Sequence, residues 1–367
     1  MTRTLRSTPK HDGFFMPAEW SAHAGTWMLW PQRPDNWRLD AGPAQAAFAS
    51  VAIAISRFEP VTMCVSPTQY LTARSMLPPP IRVVEMTSND SWIRDCGPTF
   101  LVNGHNHVRG VDWKFNAWGG EEDGLYKPWD QDDLVGEKVL EMERAPRYAP
   151  PIVLEGGSIE VDGQGTLITT MQCLLNKNRN PDLTRDEIET ALKAYLGIDV
   201  IIWLDRGVYL DETDGHTDNL ARFVAPGKVA LTWTDDPADP EYAISLDAFE
   251  RLSKAKDARG QVLEIIKLKQ PGPLFMTHEE ARGVDQVVGT EPRLAGNRLA
   301  GSYVNFYLCN HAVIAPALDP LSDAAAKETL AQAFPLREVI MVPAREILLG
   351  GGNIHCITQQ QPVGIGG

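Results

Sequence analysis

The sequence predicts an α/β protein of about five strand-helix-strand units with additional hairpins, folded as one domain over residues 1–367. Three observations lead to this prediction. Short β-rich runs alternate with single helical patterns along the chain. No low-complexity segment separates them, and 43% of the residues are hydrophobic, which is enough for a buried core. A doubly wound sheet is the alternative architecture that this alternation permits.

The first elements follow one another closely. Apolar residues at helical spacing predict a helix over Ala44–Phe58, which ends before Pro60. Val61–Val65 is a short apolar run of the kind that forms a buried strand. A helix followed directly by a buried strand is half of the predicted repeating unit.

The next helix has both a start signal and a stop signal. Ser66 has the position of an N-cap, Pro67 that of the first helical residue and Gln69 that of a side chain reaching back to the cap. We therefore expect a helix that runs to about Leu77 and stops at the prolines that follow it. Arg82–Met86 is predicted to be the next strand.

Similar signals recur in the middle of the chain. The Thr-Arg-Asp-Glu box at residues 184–187 opens a predicted helix that ends near Gly197, and Val200–Trp203 is the strand that follows. Leu220–Val224 and Val229–Trp233 are predicted to pair as a hairpin, because an Ala-Pro-Gly turn separates them.

The last unit lies beyond residue 318. Asp319 and Pro320 cap and start a predicted helix that continues through Phe334 and stops at Pro335. Val339–Val342 is the strand expected after it. The residue identities show no repeat, so any symmetry among the units rests on the pattern of elements alone.

Charge and cysteine content restrict the class of function. The 34 basic and 48 acidic side chains give a net charge of −14, which disfavours nucleic acid as a partner and mildly attracts cationic small molecules. No run approaches the ~18 to 20 apolar residues that span a bilayer, so we expect no membrane association and a cytoplasmic location. Five dispersed cysteines without a CxxC pair predict neither a disulfide framework nor a metal site.

Four polar segments flanked by glycine interrupt the predicted elements. Such segments are candidates for chemistry, because reactive groups are commonly held on loops of a rigid scaffold. They are Asn89–Pro98, Leu154–Ser158, Asp211–Asn219 and Gly350–Cys356.

The last of these segments is a candidate nucleophile loop. Its three glycines permit close backbone approach and positive φ angles, and they lead to Cys356, which directly follows a histidine. The alternative is that Cys356 is only a small, buried packing residue. No Lys-Ser or Lys-Thr pair follows the glycines, so a phosphate-binding turn is discounted.

The segment 211–219 carries four carboxylates around His216, a candidate general acid or base. In an extended segment, side chains two residues apart share a face. Asp214, His216 and Asp218 are therefore expected to line one surface, which Glu212 continues. A solvated acidic loop is the alternative, and the residue order of a calcium-binding EF-hand loop is absent.

Two further carboxylates have suggestive placements. Asp95 precedes a Gly-Pro turn that would fix it at a strand boundary, although a surface ion pair with Arg94 explains it equally well. Glu155 ends an apolar run, where a buried carboxylate needs a partner, and His216 would supply one.

Together these candidates form a set of one thiol, one histidine and several carboxylates. The set is unusual for acyl transfer, because negative charge raises the pKa of a thiol and repels an oxyanion. It suits a cationic electrophile instead. A guanidinium is planar and permanently charged, and carboxylates match its N–H groups in its plane. The residues therefore favour a thiol that attacks a guanidinium carbon.

A series of motifs occurs in one order along nearly the whole chain. They are Met16–Trp20, Trp27–Arg38, Asn89–Pro98, Phe115–Gly120, Leu154–Ser158, Asp211–Asn219, Ser302–Tyr307 and Glu346–Cys356. In these motifs the sequence resembles the agmatine deiminases of the guanidine-modifying (pentein) superfamily, a Porphyromonas-type peptidylarginine deiminase-like family.

The resemblance implies a fold, a reaction and a catalytic set. The fold is a five-bladed α/β propeller of pseudo-symmetric ββαβ units with the site on its central axis. The reaction is the hydrolysis of agmatine to N-carbamoylputrescine and ammonia, without a metal or an organic cofactor. Cys356 matches the family's nucleophile and His216 its general acid/base, with Glu155 as the partner that orients the histidine.

Three acidic residues match substrate-binding positions of the family. Asp95 and Asp218 match the carboxylates that hold the guanidinium, and Glu212 falls where the family has an acidic residue near the substrate. The sequence departs from the pattern at Asp214 and Thr217, where Asn and an aliphatic residue are expected. The additional carboxylate could strengthen attraction for the distal amine of agmatine or raise the pH optimum.

Other functions stay open at this point. A related deiminase could act on free or peptide-linked arginine, but the α-carboxylate would require a basic partner and nothing basic lies within 211–219. A non-catalytic polyamine-binding protein is a second alternative, which intact Cys356 and His216 oppose. A cysteine peptidase is disfavoured, because no oxyanion hole is evident among so many carboxylates.

A few features bear on assembly and packing. Homo-oligomerisation, as a dimer or a larger assembly, is left open, and an exposed, tryptophan-rich Trp113–Trp118 would suit an interface or a lid. Cys64, Cys173 and Cys309 are expected to be packing residues, whereas Cys96, next to Asp95, could reach the site.

Overall fold

A computed structural model describes residues 3–364 of the chain. Residues 1–2 and 365–367, which belong to the predicted domain, lie outside this range. The strands, β1 to β19 in chain order, are Thr4–Leu5, His23–Leu29, Val61–Val65, Arg82–Glu85, Thr99–Val102, Val108–Val111, Arg147–Tyr148, Glu160–Val161, Thr166–Thr170, Val200–Leu204, Ala221–Ala225, Lys228–Trp233, Glu264–Lys269, Leu274–Phe275, Arg298–Leu299, Tyr307–Cys309, Ala312–Ala317, Glu338–Pro343 and Gln359–Pro362.

The helices connect these strands. The α-helices, α1 to α11 in chain order, are Gly42–Ser56, Tyr70–Met76, Ile93–Cys96, Gly120–Asp123, Val135–Met142, Met171–Leu174, Arg185–Leu196, Glu241–Lys254, His278–Arg282, Asp323–Ala333 and Arg345–Leu348. Short 3-10 helices occupy Pro67–Gln69, Asp132–Leu134, Gly156–Ser158 and Thr217–Asn219.

Five sheets of three or four strands share one pattern, in the strand orders β1-β7-β6-β5, β10-β9-β8, β11-β12-β13, β16-β17-β18 and β19-β2-β3-β4. In each, two strands pair antiparallel and a third joins the second of them in parallel. A helix lies in the parallel connection, as α8 does between β12 and β13. This is the ββαβ unit that the resemblance implies, and the expected five occur. The doubly wound alternative is wrong, because the strands are divided among separate sheets.

The unit that contains β2 is completed by distant parts of the chain. β19 pairs antiparallel with β2, so that Gln359 stands opposite Trp27. The indole of Trp27 also donates a hydrogen bond to Gln361, which is 334 positions further along the chain. Residues just beyond Cys356 are therefore fixed by strands near the other end of the described chain.

Most predicted elements are confirmed. α1, β3, β4, α7, β10, the β11-β12 hairpin and β18 agree with the predictions to within about two residues, as local signals usually allow. The capping box that opens α7 is present, with Thr184 and Glu187 each bonded to the other's backbone N–H. A buried stripe of Ile188, Leu192 and Leu196 holds the helix against the core.

Two helix starts differ from prediction. Ser66 does not cap α2, because its hydroxyl donates to Gln32 and the chain first forms a 3-10 turn. α10 begins at Asp323 rather than at Asp319, because the Asp323 carboxylate accepts the backbone N–H groups of Leu318 and Asp319 and so closes a turn before the helix. In both cases a side chain forms a hydrogen bond other than the helix cap that the local sequence predicts.

Candidate active site

The first strand of each of the five units is preceded by a segment that contributes one polar group to a common site. These groups are Asp95 before β5, Glu155 before β8, Asp218 before β11, Asn305 before β16 and Cys356 before β19. All five residues are buried. The five-fold repetition of the ββαβ unit thus brings distant parts of the sequence to one place.

Cys356 lies in the loop that follows α11, and the glycines of this loop permit tight packing around the thiol. Gly351 has a φ of 105°, and a Cβ on Gly352 would stand 2.5 Å from the ring of Trp92. The Cys356 Sγ lies 3.7 Å from the Asp218 carboxylate and accepts a hydrogen bond of 3.3 Å from Asn305 Nδ2. Burial, followed by the charges of Asp218 and of a second carboxylate, raises the pKa of the thiol well above its usual value.

His216 stands between two carboxylates without hydrogen bonding to either. Its Nδ1 is 3.8 Å from Asp95 Oδ1, and its Nε2 is 3.8 Å from Glu155 Oε2. Burial alone would lower the pKa of His216, but the charge of Asp95 and the neighbouring Cys173 and Glu155 raise it well above its usual value. The resting site therefore holds a protonated thiol and an imidazolium.

Glu155 is fixed by a buried arginine. Its Oε1 accepts a hydrogen bond of 2.6 Å from Arg179 Nε. Burial raises the pKa of Glu155, but the charge of Arg179 and the neighbouring His216 outweigh it and lower that pKa to about 2. A permanently ionised Glu155 can hold the imidazolium in place through charge attraction.

Glu155, Cys173 and His216 also bring possible metal-ligand atoms within 4.8 Å of one another. Glutamate, thiolate and imidazole can all ligate zinc. However, the Arg179 guanidinium already supplies a positive charge beside Glu155.

Asp95 has a different environment from Glu155. Its carboxylate accepts hydrogen bonds from the Gly157 backbone N–H, at 2.9 Å, and from the indole of Trp118, at 3.0 Å. Burial, partly offset by the charge of His216, raises the pKa of Asp95 to about 6. A cation placed beside this carboxylate would lower its pKa again and be bound in return.

Asp218 is the second carboxylate beside the thiol. Its Oδ2 lies 2.8 Å from His355 Nδ1, while its Oδ1 is buried without a hydrogen-bond partner among residues 3–364. Burial raises the pKa of Asp218, but the hydrogen bond and charge of His355 outweigh it and lower that pKa below its usual value. An ionised oxygen without a partner can accept a donor from a ligand.

A cavity leads from solvent to Cys356 and Asp95. Its lining combines aromatic walls with four carboxylates and two guanidinium groups, and consists of Arg33, Asn36, Asp90, Trp92, Asp95, Trp118, Leu125, Tyr126, Glu212, Thr213, Thr290, Glu291, Arg293, Gly350, Gly351, Gly352 and Cys356.

The outer part of the cavity holds Glu212, whose side chain is 30% exposed. Glu212 Oε1 is paired with Arg293, and its Oε2 has no hydrogen-bond partner among the described residues. A carboxylate at each end, Asp95 inside and Glu212 outside, gives the cavity two separate anchors for positive charge.

Three of the six predicted site residues, Cys356, Asp95 and Glu212, line this cavity, whereas His216, Asp218 and Glu155 are buried outside its lining. The segment 211–219 is not extended. Asp214 has a φ of 62°, and Thr217–Asn219 forms a 3-10 turn. Asp214 consequently faces Arg179, at 2.8 Å, rather than sharing a surface with His216 and Asp218. The structure does not favour Asp214 as a group that attracts the distal amine, because Asp214 is paired with Arg179 and lies outside the cavity lining.

Four further expectations require correction. The Arg94–Asp95 surface pair is absent, since both residues are buried and Arg94 faces Glu19 instead. Trp113 and Trp118 are buried rather than exposed.

The cysteines and the basic residues also differ from expectation. Cys173 lies beside Glu155. The Cys96 thiol points elsewhere and donates a hydrogen bond to the carbonyl of Trp92. Although no basic residue lies within 211–219, Arg293 reaches Glu212 from elsewhere in the chain.

The sequence did not identify the residues that hold the predicted site residues in position. Arg179, Trp118, Asn305 and His355 each bond directly to a site residue. Three of these residues lie in motifs that the sequence analysis singled out, and these motifs could have identified them: Phe115–Gly120, Ser302–Tyr307 and Glu346–Cys356.

The chain is similar to proteins of known activity. A family model described as Porphyromonas-type peptidyl-arginine deiminase matches residues 15–362. Agmatine deiminase of Pseudomonas syringae pv. tomato is 58% identical over 361 residues, which cover 98% of this chain and 98% of that one. A solved agmatine deiminase of Enterococcus faecalis is 47% identical with a TM-score of 0.96, over 99% of this chain and 100% of that chain.

A more distant solved structure has the same fold. Agmatine deiminase of C. jejuni, solved with substrate bound, is 27% identical with a TM-score of 0.83, over 96% of this chain and 97% of that chain. These likenesses confirm the predicted fold class.

Proposed function

Because this chain belongs to the Porphyromonas-type peptidyl-arginine deiminase family, we propose that it is an enzyme that hydrolyses agmatine to N-carbamoylputrescine and ammonia. Its similarity over almost the full length to agmatine deiminases supports this substrate. The observation that carries the proposal is the pair of buried carboxylates beside the candidate nucleophile and base: Asp218 lies 3.7 Å from Cys356 Sγ, and Asp95 lies 3.8 Å from His216 Nδ1.

Binding of the guanidinium prepares the nucleophile. Asp95 and the unpartnered Asp218 Oδ1 hold the planar cation by its N–H groups. The cation offsets the charge of these carboxylates, so that the pKa of the Cys356 thiol, raised by burial and by the carboxylates, falls when substrate is present. The thiolate is thus formed where and when the electrophile is bound.

In the first half-reaction, the Cys356 sulfur attacks the guanidinium carbon and a C–S bond forms. The His216 imidazolium donates a proton to a terminal nitrogen, the C–N bond breaks and ammonia leaves. The result is an amidino-cysteine adduct, and the imidazole of His216 is now neutral.

In the second half-reaction, His216 accepts a proton from water as the water oxygen attacks the adduct carbon. The C–S bond then breaks, the hydroxyl proton of the intermediate passes to the Cys356 sulfur, and N-carbamoylputrescine leaves while His216 keeps the proton taken from water. Glu155 keeps the imidazole in position throughout, because its own charge is fixed by Arg179. The atoms of agmatine and one water account for both products.

The outer part of the cavity favours agmatine over arginine. Both guanidinium groups in the lining are paired with acids, Arg293 with Glu212 and Arg33 with Asp35 at 2.6 Å, although Arg33 Nη1, 3.7 Å from Asp90, makes no hydrogen bond among the described residues. Arg293 also donates to Asn36 and to the Gly350 carbonyl, which leaves it few free donors for a substrate carboxylate. The free Glu212 oxygen suits the terminal ammonium of agmatine.

The remaining predictions concern the molecule and its setting. We propose that the chain acts as one catalytic domain in the cytoplasm. All five cysteines are free thiols, as is usual in a reducing compartment. Among the described residues, no helix is both long enough and apolar enough to span a bilayer. Homo-oligomerisation stays a prediction.

The proposal is tested by mixing the protein with agmatine, quenching rapidly and measuring the intact mass, beside an assay for released ammonia. We expect an adduct of agmatine minus ammonia on the peptide that contains Cys356, and ammonia from agmatine but not from arginine. Cys356→Ser should form no such adduct, whereas Cys64→Ser, which alters a buried core thiol, should behave as the parent protein.

Two results would contradict this function. Release of ammonia from arginine alone would support the same reaction but show that arginine, and not agmatine, is the substrate. Absence of ammonia with either compound, together with retained binding of agmatine, would indicate a polyamine-binding protein.

A further inference from the structure

His355 directly precedes the candidate nucleophile, but its side chain faces away from the substrate cavity. Its two ring nitrogens each meet a carboxylate. Nδ1 lies 2.8 Å from Asp218 Oδ2, and Nε2 lies 2.7 Å from Glu19 Oε2. All three side chains are buried. The result is a continuous chain of contacts from the Cys356 thiol, through Asp218 and His355, to Glu19.

This arrangement determines the charge of the imidazole. A neutral imidazole donates one hydrogen bond only, so one of the two short contacts would then require a protonated carboxyl. Burial raises the pKa of Glu19, but the charges of Arg222 and His355 outweigh it and hold that pKa well below its usual value. The pKa of Asp218 is also lowered. Arg222, 2.7 Å from Glu19, keeps that carboxylate ionised independently of His355, so the two short contacts to carboxylates point to an imidazolium that donates from both nitrogens.

The far end of the chain of contacts is fixed by arginines. Glu19 lies 2.7 Å from the Arg222 guanidinium and 3.6 Å from that of Arg94. Its other oxygen accepts the backbone N–H of Leu308 at 2.7 Å. Arg222 is in turn paired with Glu160, at 3.2 Å. Glu19 therefore cannot move toward Asp218, and the imidazole between them has one position.

The near end faces the reacting groups. Asp218 has the Cys356 thiol at 3.7 Å on one side, and the charge of His216 acts on it as well. The carboxylate must accept a substrate guanidinium and release an uncharged product in each cycle. Without a fixed cation behind it, a buried carboxylate would take up a proton or turn away each time the cavity emptied.

On the basis of the proposed function, we propose that His355 is a positioning residue, an imidazolium clamped between Glu19 and Asp218 that keeps Asp218 ionised and aimed at the guanidinium site. It touches neither substrate nor the reacting atoms. Its charge also partly compensates the carboxylate next to Cys356, so that the thiol faces less negative charge than its neighbours alone would produce.

The test compares His355→Asn with the parent protein in two measurements. The first is the rate at which iodoacetamide alkylates Cys356, followed by peptide mass spectrometry between about pH 6 and 10. Asn retains a donor for Asp218 but brings no charge. Above the pH at which Asp218 ionises, the thiol then faces an uncompensated anion. We expect the alkylation profile to move upward by about one pH unit, or roughly tenfold in rate at pH 7.5.

The second measurement is the pH profile of agmatine hydrolysis. Loss of the cation raises the pKa of Asp218 towards that of Asp95, so two carboxylates instead of one should shape the acid limb of kcat/KM, which becomes steeper and moves to higher pH. KM should rise at least about tenfold, with a smaller change in kcat, because binding of the guanidinium suffers first. A merely structural role would lower the amount of folded enzyme without moving either profile.

A matched control is His23→Asn. His23 is another buried histidine whose nitrogens meet a carboxylate, Glu59 at 3.1 Å, and a backbone carbonyl, that of Glu19 at 2.7 Å. Its replacement should affect stability only. If His355→Asn does not fold, Glu19→Gln makes the same test from the other end of the chain of contacts and should shift both profiles in the same direction.

Outcomes separate this inference from the function on which it rests. A folded His355→Asn protein whose two profiles overlie those of the parent would overturn the inference. The same shifts in His23→Asn would also overturn it, because they would then reflect general loosening. If the parent protein releases no ammonia from agmatine, the proposed function fails, while the alkylation profile still decides the role of His355.

Discussion

Asp95 and Asp218 are buried carboxylates beside one thiol, yet their surroundings shift their pKa values in opposite directions. Burial raises the pKa of Asp218, but the hydrogen bond and charge of His355 lower that pKa below its usual value. Burial raises the pKa of Asp95 to about 6, because no cation in the described part of the chain lies within hydrogen-bonding distance of this carboxylate. Two carboxylates with different protonation behaviour give the site one fixed and one titratable anchor. The titratable anchor should govern the activity of the enzyme in mildly acidic solution.

We expect kcat/KM for agmatine to fall about tenfold per pH unit below pH about 6, because protonated Asp95 cannot hold a guanidinium. Bound guanidinium favours the ionised form, so the acid limb of kcat should lie at lower pH than that of kcat/KM. Steady-state kinetics between pH 4.5 and 9 measure both. Asp95→Asn should lower kcat/KM and remove this limb, while exposed Asp182→Asn should change neither. An acid limb above pH 7 would contradict the assignment.

Gly157 shows how little space the site leaves. A Cβ at this position would stand 2.4 Å from His216 Nδ1 and 3.0 Å from both Asp95 Oδ1 and Asp218 Oδ2. Gly157→Ala must therefore separate groups whose positions decide catalysis, and kcat/KM should fall at least about a hundredfold. Gly104→Ala, where nothing lies within 4 Å of the added Cβ, is the matched control. Near-parental activity in a folded Gly157→Ala enzyme would show that the site tolerates displacement.

At the scale of elements, α7 illustrates what local sequence can specify. Its capping box, its buried stripe and the glycine that ends it are all encoded within residues 184–197. Such an element can be predicted because each signal acts between neighbours. The start of α2 could not, since Ser66 is bonded to Gln32, a residue 34 positions away.

The capping box of α7 should affect stability without affecting chemistry. Thr184→Ala removes the hydrogen bond to the Glu187 N–H and should lower the free energy of unfolding by about 1 kcal/mol. Denaturant unfolding and an ammonia assay measure the two quantities separately. Thr190→Ala, at an exposed position within the same helix, should be near neutral. An equal cost at both positions would mean that the cap contributes nothing specific.

The site is predictable in part for the same reason. Cys356, His216, Asp95 and Glu155 are marked by unusual local sequence. Their supports are not, because Arg179 meets Glu155 from 24 positions away and His355 meets Asp218 from 137. Only the topology that places a polar segment before the first strand of every unit brings them together.

At the scale of the whole molecule, charge and substrate are complementary. The net charge is −14, four of the six charged side chains lining the cavity are acidic, and agmatine carries two positive charges. We expect kcat/KM to fall as salt is raised from roughly 10 to 200 mM, because screening weakens attraction beyond about 10 Å. Alkylation of Cys356 by uncharged iodoacetamide should show little salt dependence. A flat response for agmatine would mean that association is not steered.

The pairing of β19 with β2 has a consequence for how the protein is made. During synthesis, β2 leaves the ribosome long before Gln359 and its neighbours exist, and until then the edge of β2 has no partner. Cys356, the proposed nucleophile, and the strand that completes the sheet are synthesised at nearly the same time. A growing chain is therefore inactive until its last sheet can form. A chain that stops before residue 359 exposes an unpaired strand edge, which a chaperone or a second chain can cover.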